Sequence, residues 1–409
     1  MRITDTTSVP KHYATERQLF LRGKGSYLFD NGGAKYLDLG AGIAVNALGY
    51  GRRDLARVAA RQMRKVVHVS NLYATEAALE LGDRLVHSWP GDPERFAACF
   101  FGNSGTEANE AAIKFARLYA HEKKGPGNHR LVSFEKAFHG RTLGALAITP
   151  TPAYREKFEP LMPGTETLPY NDPEALAAGL DSGVAGVIVE PVQGEGGLEV
   201  MTPEFAARLN ELCRRHDIIL IADEIQTGLG RTGELYGSRV VGLEPDIVSL
   251  SKPLAGGLPL SATLIPARVN DLLHPGDHGT TFGGGPVTCA VALKVWETVA
   301  DTAFLAEVRR KAALLDGLLR ETAETNPAVE GLWGIGLLRG IGLRLPEGRE
   351  KETMKSVIDA AAARGVLILR SGANRIRIAP PLTITDAELR RGIGIVREVL
   401  AAWQRVTKQ

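Results

Sequence analysis

The feature that most constrains the fold is a series of short, continuously apolar runs separated by longer amphipathic stretches. A run that is apolar at every position, without alternation, indicates a strand buried on both faces, as in a parallel sheet covered by helices. The alternation therefore predicts an α/β fold built on a doubly wound, mostly parallel sheet. The predicted strands are Ala97–Phe101, Leu131–Phe134, Val184–Val189, Ile218–Ala222 and Asp246–Leu250.

The stretch before the fourth strand is typical of a helix that packs on such a sheet. It starts with Thr202 as a cap and Pro203 in the first turn. Its apolar residues lie on one face at helical spacing, namely Phe205, Leu209, Leu212 and Cys213.

The pattern changes after about residue 300, where an α+β module is predicted. The glycine-rich stretch 331–345 indicates paired strands, and helix 351–364, strands 366–370 and 375–379 and a last helix follow. Thr385 and Glu388 have the spacing of a capping box for that last helix. We therefore expect a large domain over 51–300, a small domain over 301–409, and an N-terminal segment, 1–50, that packs with the small domain.

Composition excludes several classes of protein. The 409 residues carry 49 Lys and Arg against 47 Asp and Glu, and this balance provides no basic surface for nucleic acid. The three cysteines are far apart and predict neither a disulfide framework nor a metal site. The start of the chain lacks the apolar core of a signal peptide, and its apolar runs are too short to span a membrane. We expect a cytoplasmic protein.

The first chemical motif is GNSGTEANEAAIKFAR, residues 102–117, which follows a predicted strand and opens a helix. Ser104 and Glu107 have capping-box spacing, so a well-capped helix explains the motif without any ligand. The alternative is a phosphate site, because Ser104, Gly105 and Thr106 offer N–H groups and hydroxyls at a positive helix end.

The second and third motifs each place one ionisable residue at the end of a predicted strand. Asp223 closes IILIAD, and Lys252 follows DIVSL. A lone aspartate there is usually a turn residue, and a lysine is usually solvated. Ligands of open α/β sheets nevertheless bind at this edge, and a lysine held away from bulk water acts as a Schiff-base nucleophile.

Together the three motifs fit the chemical groups of pyridoxal 5'-phosphate. The phosphate matches the helix N-terminus, the aldehyde matches Lys252, and the pyridine nitrogen matches Asp223. An ion pair at about 3 Å with an effective dielectric near 20 is worth on the order of 5 kcal/mol, sufficient to keep that nitrogen protonated.

Nine motifs in this order resemble those of the class III aminotransferases of fold type I over nearly the whole chain. Within the family the chain is most similar to the members that act on N-acetylornithine. The motifs are GAGIAVNALGY (40–50), SNLY (70–73), NSGTEANEAAIK (103–114), FHGRTLGAL (138–146), VEPVQGEGG (189–197), ADEIQTGLGRTG (222–233), SLSKPLAGGLP (249–259), HGTTFGGGP (278–286) and RIAPPL (377–382).

The resemblance implies roles around the cofactor. Lys252 would link to it and shuttle a proton, Asp223 would pair with the ring nitrogen, and Phe138 would stack on the ring. Gly105 and Thr106 would hold the phosphate. The remaining expected cofactor contacts are Ser104, Glu224, Ile225, Gln226 and, from the other subunit of a homodimer, Thr281.

The resemblance also implies how substrates bind. Arg141 would bind the carboxylate of the acylated donor, and Arg377 the α-carboxylate of glutamate. Glu195 would neutralise Arg377 and then swing aside for glutamate. Thr280 is a weaker expected contact, and His139 is interpreted as structural. An ordinary salt bridge is the alternative for the charged residues.

Two positions depart from relatives. Gly285 stands where many have asparagine. Ile43 stands where ornithine-specific members have tyrosine, and an apolar residue there favours an acylated amine. The resemblance thus predicts ping-pong transamination of N-acetylornithine with 2-oxoglutarate in arginine biosynthesis.

Other amine donors of the same class remain open: succinylornithine, 4-aminobutyrate, ornithine and lysine linked to a carrier protein. Racemisation on the same cofactor and a binding protein without catalysis also remain open. Retention of Lys252 and Asp223 counts against the last of these.

Overall fold

The computed structural model describes residues 18–407, so residues 1–17 of the predicted N-terminal segment lie outside the described part. The strands are β1 (Phe20–Lys24), β2 (Tyr27–Asp30), β3 (Lys35–Asp38), β4 (Ala98–Gly102), β5 (Arg130–Phe134), β6 (Thr165–Leu168), β7 (Val184–Val189), β8 (Val192–Gln193), β9 (Glu199–Val200), β10 (Ile219–Asp223), β11 (Ile247–Leu250), β12 (Ser261–Ile265), β13 (Val329–Ile335), β14 (Leu338–Leu343), β15 (Val366–Leu367), β16 (Leu369–Ser371) and β17 (Arg375–Ile378).

The helices range from single turns to more than twenty residues. They are α1 (Ala41–Ala44), α2 (Arg53–Met63), α3 (Glu76–Val86), α4 (Gly105–Lys124), α5 (Leu143–Ala147), α6 (Pro152–Arg155), α7 (Pro173–Gly179), α8 (Pro203–Arg215), α9 (Gly237–Val241), α10 (Ala267–Asn270), α11 (Pro286–Val299), α12 (Thr302–Thr325), α13 (Glu350–Ala363) and α14 (Asp386–Thr407), with a 3-10 turn at Glu156–Phe158. No helix within residues 18–407 has both the length and the apolarity needed to cross a membrane.

A seven-stranded sheet is formed between residues 98 and 265, with the strand order β4-β12-β11-β10-β7-β5-β6. All its strands run parallel except β12, which is antiparallel to both of its neighbours. The expectation of a mostly parallel, doubly wound sheet is confirmed. Because β12 is antiparallel to both neighbours, β4 runs in the same direction as β11. The carboxyl ends of β4, β5, β7, β10 and β11 therefore lie along one edge of the sheet.

Burial on both faces explains why the central strands are apolar throughout. In β10, Ile219 and Ile221 pack in the cluster formed with α4. The alternate residues Leu220 and Ala222 pack in the opposite cluster, which includes Phe205 of α8. Each large side chain buried in this way contributes about 1.5–3 kcal/mol of transfer free energy.

The C-terminal module is an antiparallel sheet of order β13-β14-β17-β16, and its apolar side chains pack with those of α12, α13 and α14. The predicted strand 366–370 is in fact two strands. β15 leaves this sheet and pairs parallel with β3, so the segment before residue 50 shares a sheet with the module. The predicted box at α14 is formed: Thr385 N donates to Glu388 at 2.9 Å, and Glu388 N donates to the Thr385 hydroxyl at 3.3 Å.

Candidate active site

A cavity of about 410 Å³ opens at the carboxyl edge of the parallel strands. Loops after β4, β5, β7, β10 and β11 all contribute to its wall, because parallel strands that end together bring their following loops together. Its lining residues are Val45, Asn103, Ser104, Gly105, Thr106, Phe138, His139, Gly140, Arg141, Glu190, Glu195, Asp223, Ile225, Gln226, Ser251, Lys252, Gly257, Leu258, Pro259 and Leu260.

The N-terminus of α4 forms one wall of the cavity, where Ser104, Gly105 and Thr106 lie. A Cβ on Gly105 would stand 2.8 Å from Cδ1 of Ile225, so the absence of a side chain lets the helix end approach the wall. The unpaired N–H groups and the dipole of a helix that begins here favour an anion.

The cap of α4 differs in detail from the predicted box. The Ser104 hydroxyl donates to the carboxylate of Glu107 at 2.8 Å instead of accepting from the helix backbone. Glu107 also accepts from Asn103 N at 2.9 Å. Since the hydroxyl does not cap the first turn, N–H groups of that turn remain available to a ligand.

Asp223 is buried and held at both carboxylate oxygens. Its Oδ2 accepts from Asn109 Nδ2 and from His139 Nδ1, both at 2.8 Å. Its Oδ1 accepts from Ile225 N at 3.1 Å. A carboxylate only accepts, so His139 carries its proton on Nδ1. The sequence predicts a structural role for His139, and its contact orients Asp223.

The Lys252 amine lines the cavity and has no hydrogen-bond partner among the residues that the structure describes. Loss of contact with bulk water lowers the pKa of Lys252, although the carboxylates of Glu195 and Asp223 act in the opposite direction. The neutral, nucleophilic amine is therefore more populated than in a solvated lysine.

Glu190 is a cavity residue that the sequence did not single out beyond its place in a motif. Its Oε1 accepts from Phe138 N and its Oε2 from Gly194 N, both at 3.0 Å. Burial raises the pKa of Glu190, while the His139 ring lowers it and the Asp223 charge raises it further. These contacts tie the loops after β5 and β7 together.

The two candidate substrate arginines have different surroundings. Arg377, on β17, is only 3% exposed and donates through Nη1 to Gly194 O at 3.0 Å, Glu195 Oε1 at 2.5 Å and Gln226 Oε1 at 3.3 Å. Glu195 retains 32% of its side-chain exposure, so its carboxylate has room to leave. Arg141 lines the cavity with its guanidinium exposed and without an ion-pair partner in the described range 18–407.

Not every predicted site residue lies at the cavity. The carboxylate of Glu224 turns away and accepts from Gly237 N at 2.9 Å and Ser238 N at 2.6 Å. It therefore holds the loop before α9, and the structure does not bring it to a ligand in the cavity. Burial raises the pKa of Glu224.

Four other positions lie outside the cavity wall of the single chain. Thr280 lies beside the loop that precedes α4, with its hydroxyl 3.5 Å from Asn103 Nδ2, and Thr281 beside it is exposed. Ile43 is exposed in a turn with a φ of +61°, and Val45 lines the wall instead. Gly285 is the cap residue of α11.

Comparisons with known proteins place the chain among relatives of similar length. The family model described as "Aminotransferase class-III" matches residues 10–400. The probable mitochondrial acetylornithine aminotransferase of Dictyostelium discoideum is 42% identical over 387 residues, which cover 93% of this chain and 83% of that protein.

Two solved structures have the same fold over nearly their full length. The ornithine aminotransferase of Toxoplasma gondii matches with a TM-score of 0.91 and 31% identity over 97% of this chain and 93% of its own. The N-acetylornithine aminotransferase of Stenotrophomonas maltophilia matches with a TM-score of 0.81 and 32% identity over 97% of this chain and 98% of its own.

Proposed function

The chain belongs to the class III aminotransferases, and we propose that it transfers the δ-amino group of N-acetylornithine to 2-oxoglutarate in arginine biosynthesis. As a member of this family it is an enzyme that uses pyridoxal 5'-phosphate. The donor is supported by the curated relatives named for acetylornithine, among them the Dictyostelium relative at 42% identity and the Alnus glutinosa relative at 42%.

The residues of the cavity fit the cofactor. The amine of Lys252 is free of hydrogen bonds within the described residues, and the Asp223 carboxylate is fixed at the cavity wall. The N-terminus of α4 offers Gly105 and Thr106 to a phosphate, and Phe138 offers an aromatic face to the flat pyridine ring of the cofactor. When bound, this cofactor supplies an aldehyde that links to amines and a protonated ring that withdraws electrons from the substrate carbon.

Lys252 is the group that moves the proton in this proposal. Once a substrate amine has displaced it, its unprotonated Nζ accepts the proton from the carbon that bears the reacting amine. The lowered pKa of Lys252 keeps that nitrogen ready as a base. Asp223, fixed by Asn109 and His139, holds the positive charge of the ring nitrogen in place.

Arg141 recognises the donor by binding the carboxylate of the donor. A guanidinium presents its N–H groups in a fork that matches a carboxylate, and Arg141 makes no ion pair among residues 18–407 that would compete. With that carboxylate held, the far end of N-acetylornithine presents its δ-amine to Lys252.

Arg377 and Glu195 allow one cavity to serve two unlike substrates. While Glu195 is paired with Arg377, the charge of the arginine is neutralised and the distal amine of the donor meets no free cation there. When Glu195 turns outward, Arg377 binds the α-carboxylate of glutamate or 2-oxoglutarate. Thr280, next to the phosphate loop, is proposed as a minor substrate contact.

The observation that carries the proposal is the meeting of Lys252, Asp223 and Arg141 in one cavity. A donor panel with 2-oxoglutarate tests it, comparing N-acetylornithine, succinylornithine, ornithine, 4-aminobutyrate and a carrier-linked lysine. N-acetylornithine is expected to have the highest kcat/KM, and Lys252→Ala is expected to abolish turnover with every donor. A higher kcat/KM for any other donor contradicts the proposed substrate.

We also propose a homodimer in which each subunit completes the other's site. Large apolar side chains are exposed at a second cavity of about 510 Å³: Leu72 is 87% exposed, Tyr73 is 73% exposed, and Phe282, whose ring centroid lies 5.7 Å from that of the lining residue His68, is 66% exposed. A second copy on this face would bury that surface. Thr281 adjoins Phe282 and faces outward, which suits a contact with the partner's cofactor phosphate.

The proposed compartment is the cytoplasm. Cys99, Cys213 and Cys289 are all free thiols, the state expected in a reducing compartment. Because the Dictyostelium relative is named as mitochondrial, fractionation of cells with an antibody to the native protein is the appropriate test.

A further inference from the structure

Tyr154, on the short helix α6, contacts the candidate carboxylate-binding arginine from outside the cavity wall. The guanidinium carbon of Arg141 lies 3.6 Å from the centroid of the Tyr154 ring and 5.6 Å from that of Phe138. The two rings meet edge to face, with centroids 6.2 Å apart and planes at 86°. Apart from these ring contacts, the Arg141 side chain has no hydrogen bond and no ion pair with the described residues.

Stacking fixes a guanidinium without using its hydrogen bonds. The ring of Tyr154 occupies the face of the group, while the N–H donors point along its edges and stay free for a carboxylate. Arg377 shows the opposite arrangement, because its Nη1 already donates to Gly194, Glu195 and Gln226. Arg377 must therefore lose a contact before it binds substrate, and Arg141 need not.

Tyr154 is itself held in place. It lies in α6, which begins at Pro152, and its N–H donates to Thr151 O at 3.0 Å. The proline fixes one backbone angle of the first turn, so the ring is presented from a short but restrained element. Arg141, in contrast, lies in an irregular loop and is exposed, so without the Tyr154 ring its long side chain would have many rotamers to lose on binding.

We propose that Tyr154 is a positioning residue that holds the guanidinium of Arg141 in the orientation required for the donor's carboxylate. This inference rests on the proposed function. It predicts that the ring face of Tyr154, and not its hydroxyl, sets the affinity for substrates with a carboxylate at that end.

The first test measures binding without turnover. N-acetylnorvaline keeps the carboxylate and the acetylated amine of N-acetylornithine but lacks the δ-amine, so it binds the holoenzyme without reacting. Calorimetry is expected to give Tyr154→Phe a Kd within about twofold of wild type, because the aromatic face is kept. Tyr154→Leu keeps similar bulk without that face, and its Kd is expected to rise by about five- to tenfold.

The second test separates the carboxylate from the rest of the donor. N-acetyl-1,4-diaminobutane is N-acetylornithine without the carboxylate, and single-turnover absorbance changes report the first half-reaction for both. In Tyr154→Leu, the kcat/KM for N-acetylornithine is expected to fall about five- to tenfold through KM. The value for N-acetyl-1,4-diaminobutane is expected to stay within twofold of wild type, which a misfolded variant would not show.

The outcomes distinguish the inference from the proposed function. If wild type neither binds N-acetylnorvaline nor converts N-acetylornithine, the proposed donor is wrong. If wild type does both and Tyr154→Leu matches it, Tyr154 does not position Arg141. Equal losses in Tyr154→Leu for the donors with and without the carboxylate also overturn the inference, because the defect is then general.

Discussion

At the scale of single residues, Lys252 is a nucleophile only when its amine is unprotonated, and the cavity shifts that equilibrium. Burial lowers the pKa of Lys252. Sequence reasoning found Lys252 and Asp223, since each ends a buried strand. It did not find Asn109 or Glu190 as supports, because their contacts join residues far apart in the chain, and only the folded structure brings them together.

The pKa of Lys252 makes a prediction for the protein stripped of cofactor. The rate of covalent capture of pyridoxal 5'-phosphate, followed by absorbance, should rise with pH as the amine loses its proton. Because the pKa is lowered, the rate should level off below the value of about 10.4 for a solvated lysine. Nα-acetyllysine is the matched control, and a rate that follows the pH dependence of that control contradicts the account.

Glu195 makes a second prediction at this scale. Glu195→Gln removes the negative charge that neutralises Arg377. The arginine of the variant therefore attracts substrate carboxylates in both half-reactions. The ratio of kcat/KM for N-acetylornithine to that for glutamate should fall about tenfold, equivalent to about 1.4 kcal/mol. Glu199→Gln is the matched control. Glu199 pairs with Arg375, which lies on β17 as Arg377 does, but Glu199 does not line the cavity. If this ratio of kcat/KM values falls by a similar factor in both variants, Glu195 does not have the proposed role.

At the scale of elements, the loop after β5 and the first turn of α4 together form the side of the cavity that is proposed to hold the phosphate. Gly140 in that loop has a φ of +143°, and a Cβ there would overlap the Thr106 side chain. The sequence predicted five strands of the seven-stranded sheet, β4, β5, β7, β10 and β11, to within about a residue. It missed the edge strand β6 and also β12, whose sequence SATLI mixes polar with apolar residues and is buried only because β12 lies between β4 and β11.

Gly140→Ala tests that contact between elements. Displacement of Thr106 should raise the Kd for pyridoxal 5'-phosphate at least about tenfold, as expected when a charge-assisted phosphate contact is lost. Pyridoxal, which lacks the phosphate, should be captured nearly as well as by wild type. Gly127→Ala is the control, since a Cβ there has nothing within 4 Å. Equal weakening for both aldehydes would show that the loop does not act through the phosphate.

At the scale of the whole molecule, the exposed apolar face around Leu72 and Phe282 and the outward position of Thr281 support the proposal that two chains share each site. A sequence alone does not reveal this, because an apolar residue meant for a partner has the same pattern as one meant for the core. The assignment of Thr281 to the partner's site came from family resemblance.

Mixed dimers test the shared site. Lys252→Ala and Thr281→Ala chains, each impaired alone at limiting cofactor, should recover activity when coexpressed, because a mixed dimer contains one site free of both changes. Random pairing is expected to restore about a quarter of the wild-type sites. No recovery, with mixed dimers verified by mass spectrometry, means that Thr281 acts within its own chain.

The central claim is that the cofactor is linked to one amine, that of Lys252. Borohydride reduction of the holoenzyme followed by trypsin tests it directly, because Lys252 precedes proline and is the only lysine in the tryptic peptide 240–268. The account predicts that this peptide alone gains the mass of one phosphopyridoxyl group. An unmodified peptide 240–268, or the added mass on another lysine, would contradict it.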